Sequence, residues 1–205
     1  MDEHAIRAVG ALYQGEKADA TGIFNVAMAM MGIAAAYLVG AVGYINNLGA
    51  TNLGPLAFLL PAPLWLILAY NSLLTLNSMM HGSSVRILED QLFSLAAFDP
   101  ALRGFIGSKG GDRIMDARES HPSHKWATRL AFGGLGVGIL AFTIYILWSA
   151  WNSVHVIIAL AIAGVYAIAM AVILWSWKNG DRITHEAYEV AKNFLPMPGP
   201  GAAQP

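Results

Sequence analysis

Four blocks of this sequence leave few folds open. Thr21–Ile45, Leu56–Met80, Ala127–Trp148 and Val154–Trp177 are 22 to 25 residues long, and none contains Asp, Glu or Lys. About 20 helical residues at ~1.5 Å each suffice to cross the ~30 Å hydrocarbon core of a bilayer. A helix of a soluble protein carries charge on the face turned from the core, whereas these blocks are apolar all round. The one basic residue inside their limits, Arg129, stands near an end. They predict an all-α polytopic membrane protein with four transmembrane helices. The charged fraction agrees, at 12% of 205 residues, about half that of an ordinary soluble domain.

Orientation follows from the basic residues. The connections Asn46–Gly54 and Ser149–Ser153 hold no Lys or Arg, so all 12 lie in the N-terminus, the middle loop, the C-terminal tail or at their borders. The positive-inside rule then places both termini and the loop of about 82–125 in the cytoplasm of a cell-membrane protein. Trp148 and Trp151 mark the outer interface, and Trp126, Trp175 and Trp177 the inner one. Acidic residues near the start, in MDEHAIRAVG, do not match a cleavable signal peptide. With no cysteine, disulfides and thiolate ligands are excluded. A net charge of −1 gives no footprint for nucleic acid.

The second block continues past the membrane. Read as one helix, Leu56–Ala97 would be ~60 Å long, about twice the hydrocarbon thickness. Pro55, Pro61 and Pro63 permit a broken or kinked entry at its outer end, and Gly82–Ser83–Ser84 is the candidate bend. Beyond it, Val85, Leu88, Leu92 and Leu95 form an apolar stripe opposite Arg86, Glu89, Asp90 and Gln91. Helical spacing also recurs in Glu3–Tyr13 and Gly180–Phe194. Together these predict a small cytoplasmic helical layer beneath the spans, within a single domain of 1–195. Asp19 or Thr21 is positioned to cap the first span, and Asp99–Pro100 opens a short helix in the loop. The Pro/Gly-rich residues 196–205 are expected to be disordered.

Small residues spaced by four run through three of the blocks: Gly32, Ala36 and Gly40; Gly134 and Gly138; Ala159, Ala163, Ala167 and Ala171. Such ladders let helix backbones approach within lipid. The expectation is close packing within one bundle, with packing between subunits as the alternative.

The candidate site is the polar half-face of the second block. Its outer half is wholly apolar, and Tyr70, Asn71, Thr75, Asn77, Ser78 and His81 follow. On a helical wheel Asn71, Thr75 and Ser78 share one stripe, and Tyr70, Asn77 and His81 another ~90° away. Polar groups at such depth line a wet cavity or bond to neighbouring helices. For a metal, His121, His124, His185 and Glu189 are the candidates, with His185 and Glu189 one turn apart. Their spacing matches no established ligand signature, and no cofactor is expected. Met28, Met30, Met31, Met79 and Met80 supply thioethers that suit Cu(I), but at different depths, and methionine is ordinary packing material in a span. His155 and His81 stand on opposite sides and cannot pair on a haem. No ionisable group sits near the midplane, as coupled transport usually requires.

These features carry three readings. The first is a non-catalytic accessory or interaction subunit of a membrane assembly, partnered by lipid and by a second copy or another membrane protein. The second is a homo-oligomeric channel gated from the cytoplasmic side. The third is an intramembrane small-ligand binder or enzyme using the polar face.

Overall fold

The computed structural model describes residues 3–48, 50–96, 107, 122–151 and 154–194. The loop helix expected from Asp99–Pro100, the ligand candidate His121 and the tail 196–205 lie outside the described residues. Every regular element among those described is helical. Helix α1 spans Glu3–Leu48, a 3-10 segment Ala50–Leu59, α2 Ala62–Leu95, α3 Pro122–Ser149 and α4 Val156–Phe194. Three helical stretches are long and apolar enough to cross a membrane: Glu3–Asn47, Gly54–Leu95 and Val156–Glu186. In α3 the apolar stretch is the shorter Gly133–Ser149. Large apolar side chains are exposed on every helix, among them Val39, Leu66, Leu130, Val137, Ile157 and Ile168. Monomeric soluble proteins rarely show apolar surface on this scale, and the chain is a membrane protein by this criterion.

Helix continuity exceeds what the sequence suggested. The 46 residues of α1 absorb the separate N-terminal helix expected over Glu3–Tyr13. No proline interrupts them, and isolated Gly10 and Gly15 cost only about 1 kcal/mol each. Thr21 caps nothing, because its hydroxyl donates back to the Lys17 carbonyl at 2.8 Å inside the helix. The 39 residues of α4 likewise absorb the tail helix. In α2, Gly82, Ser83 and Ser84 remain helical, and both serine hydroxyls donate to the Met80 carbonyl. The entry to α2 is broken, as the prolines permit: the 3-10 segment ends at Leu59 and α2 begins at Ala62. Gly54 takes φ 54° and ψ −137°, a conformation open essentially to glycine.

The chain forms two compact units. The apolar unit comprises Asn25–Thr75 and Ala127–Lys178. Its core takes Ala34, Ala41 and Ile45 from α1, and Leu64 and Trp65 from α2. Ile139, Phe142 and Ile146 of α3 and Ala159, Tyr166 and Ile173 of α4 complete it, with Phe58 of the 3-10 segment fully buried among them. Sevenfold spacing, at Ala27, Ala34 and Ala41 and again at Ala159, Tyr166 and Ile173, keeps one seam facing inward, as in left-handed helix packing.

The other unit comprises Met1–Phe24, Leu76–Trp126 and Asn179–Pro205. Here α2 lies antiparallel to α1, through Ser78 to Ala20, His81 to Glu16 and Glu89 to Tyr13. It runs parallel to α4, pairing Leu76 with Gly180 and Met80 with Thr184.

The small-residue ladders do not all serve the intrachain bundle. Gly138 meets Leu38, which would lie 3.5 Å from a Cβ placed there, and Ala159 is fully buried. Gly32, Ala36 and Gly40 are exposed, and a Cβ at Gly32 or Gly40 would meet nothing described within 4 Å. Helix α1 turns Ala34 and Ala41 inward, and this ladder is on the opposite face.

Candidate functional site

In the apolar unit, irregular backbone creates a need for polar partners. Pro61 and Pro63 carry no N–H, and carbonyls just ahead of a helix lack intrahelical donors, which is costly away from water. Two tyrosines meet this need. Tyr166 of α4 donates to the Phe58 carbonyl at 2.6 Å, and Tyr37 of α1 donates to the Leu60 carbonyl at 3.0 Å. Trp65 sits beside Tyr166, with ring centroids 6.3 Å apart. Its indole N–H donates to Thr143 Oγ1 at 3.0 Å, and that hydroxyl donates in turn to the Ile139 carbonyl at 2.7 Å. The arrangement ties the start of α2 to three helices. Its groups are bonded to one another, which fits structural anchoring.

The polar half-face of α2 divides. Tyr70, 49% exposed, and Asn77 point outward. Ser72 is buried, with its hydroxyl on the Leu68 carbonyl at 2.8 Å, and Thr75 donates to the Asn71 carbonyl at 2.9 Å. Both hydroxyls are therefore satisfied by their own helix. Asn71 keeps Oδ1 buried without a hydrogen-bond partner among the described residues. In the second unit, Ser78 reaches the Ala20 carbonyl at 3.5 Å and His81 Nδ1 lies 2.7 Å from Glu16 Oε2.

Glu89 departs most from the sequence expectation. Assigned to the solvated face of the α2 extension, it is instead 5% exposed. It follows Val85 by one turn on the buried stripe and accepts a hydrogen bond from the Tyr13 hydroxyl at 3.0 Å. Gly107 is seated on its carboxylate: with φ 71°, a Cβ there would fall 2.7–2.9 Å from the carboxylate atoms. Lys17 bonds the same phenol at 3.2 Å. Tyr13, Glu16 and Ala20 recur at helical spacing on α1, and that period is the signal by which the pairing could have been found.

Of the metal candidates, His185 and Glu189 have described side chains. His185 and Glu189 are exposed, and Arg182 of the same turn pairs with Glu186 at 3.7 Å. No group of three or more His, Cys, Asp or Glu side chains able to hold a metal ion occurs among the described residues. His155 is exposed at the start of α4, where its carbonyl accepts from the N–H groups of Ile158 and Ala159.

Comparison with protein-family models, with curated proteins and with solved structures gave no match.

Proposed function

We propose that this chain is a non-catalytic interaction subunit of a membrane assembly. In this reading it has four spans, with α3 as the third, and cytoplasmic termini and middle segment. The observation that carries it is the outward face of α1. Asn25, Ala29, Gly32, Ala36 and Gly40 fall on one side of the helix, all exposed, opposite the buried Ala27, Ala34 and Ala41. A lipid-facing helix has no need of small residues there, whereas helix association within lipid depends on them. The face suits a helix of a second copy or of another membrane protein, with Asn25 available for an interhelical hydrogen bond. Association in nanodiscs, weakened by bulky substitution on this face, is the test.

A second reading, a homo-oligomeric channel, has one observation in its favour: Tyr70 and Asn77 lie two turns apart on an outward face of α2. Leu66 and Leu73 on the same face are 72% and 59% exposed, so a pore lined by it would need an apolar constriction that gates by dewetting. The interaction reading requires no such element.

A further inference from the structure

We propose that Glu16 and His81 form a pH-sensitive clasp, tightened by acidification, between the N-terminal segment of α1 and the C-terminal part of α2. The contact is built from three consecutive approaches of antiparallel helices. Ser78 meets the Ala20 carbonyl at 3.5 Å, His81 Nδ1 lies 2.7 Å from Glu16 Oε2, and Tyr13 bonds Glu89 at 3.0 Å. The middle contact alone contains an imidazole, the side chain whose charge ordinarily changes between about pH 5 and 8. Its partners are half-buried, with side-chain exposures of 27% for His81 and 33% for Glu16, so protons reach the pair while water screens it incompletely.

Other charged and titratable groups stand on the packed elements among the described residues. On α1, Tyr13 and Lys17 flank Glu16, and Lys17 is bonded to the Tyr13 hydroxyl. On α2 itself, Arg86, Glu89 and Asp90 follow His81 by five residues or more. On α4, which meets α2 at Met80 through Thr184, Arg182, His185 and Glu186 are exposed. Among the described residues, Glu16 is the carboxylate in direct contact with the imidazole. The sign follows from charge. The protonated ring faces a carboxylate in a charge-assisted hydrogen bond. The neutral ring keeps at most an ordinary one, so a rise in pH loosens the segment.

The test is hydrogen exchange of the α1 segment in the full chain, in phosphatidylcholine nanodiscs, at about pH 6 and about pH 8. Wild type is compared with Glu16→Gln at each pH, which cancels the intrinsic exchange rate. Exchange over residues 8–20 is expected to be about two- to fivefold slower in wild type at the lower pH, and equal at the higher. Tyr13→Phe should lower protection by the same factor at both. His81→Gln serves as a second variant and should reproduce Glu16→Gln, with unchanged protection at residues 64–72 showing that either is folded. A wild-type to variant ratio that is the same at both pH values overturns the clasp.

Discussion

The phenol of Tyr166 donates to the main-chain carbonyl of Phe58 over 2.6 Å, joining α4 to backbone that has not yet become α-helical. Phe58 is 1% exposed and Tyr166 8%, so water cannot take over this bond. Tyr166→Phe should therefore lower stability by about 1 kcal/mol, toward the upper part of the range for interhelical bonds in membranes. Tyr37→Phe, at a less buried phenol, should cost less. Unfolding in mixed detergent micelles measures both. An unchanged midpoint for Tyr166→Phe would mean that the Phe58 carbonyl finds another donor.

Gly180 and Leu76 form a second tight pair. A Cβ at Gly180 would lie 2.8 Å from Leu76 Cδ1 and 3.0 Å from its Cγ. Gly180→Ala should destabilise the packing of α2 on α4 by about 1–3 kcal/mol through overpacking. Leu76→Ala in the same chain should recover part of that loss. A double-mutant cycle measures the coupling, and additive effects would place the two residues out of contact.

Gly107→Ala joins two penalties, a positive φ and a clash with a buried carboxylate. It should free residues 85–92 for faster hydrogen exchange, while Gly10→Ala, where a Cβ would meet nothing described within 4 Å, should not. Equal behaviour of the two variants would dissociate Gly107 from Glu89.

How far the sequence was legible can be seen at these residues. The long apolar stretches of α1, α2 and α4 and the broken entry beside Pro61 and Pro63 are local features, and they read directly. Helix continuity through Gly15 and Gly180 was obscured because a change from apolar to amphipathic pattern resembles a boundary when no proline marks one. The roles of Tyr37 and Tyr166 depend on which carbonyls their rings reach across the bundle, and no pattern within one helix encodes that. His81 was visible as a candidate, but Glu16 lies outside the apolar block and emerges only once α1 and α2 pair antiparallel. Glu89 was misassigned because a carboxylate on an apolar stripe reads as solvated until its phenol partner is in place.

Topology is tested with the chain's lack of cysteine. A cysteine introduced at Thr51 should react with a membrane-impermeant reagent in intact cells, and one at Ser108 only after permeabilisation. Labelling of both from the same side would contradict the four-span arrangement with cytoplasmic termini. Within α2, cysteine at the exposed Asn77 should react from the cytoplasmic side, and cysteine at Leu66, 72% exposed, should meet lipid and stay unreactive. Reaction at Leu66 would instead favour the channel.

In the proposed function, the outward face of α1 contacts another transmembrane helix. A photoreactive residue at Ala36 tests it in native membranes, against the same residue at Ile157, 67% exposed on α4. A discrete protein adduct is expected at Ala36, either of twice the chain's mass or with one membrane protein. Gly40→Leu should abolish the adduct in a chain that remains folded, and the residue at Ile157 should label lipid. Lipid labelling at both positions, or an Ala36 adduct indifferent to Gly40→Leu, would contradict it.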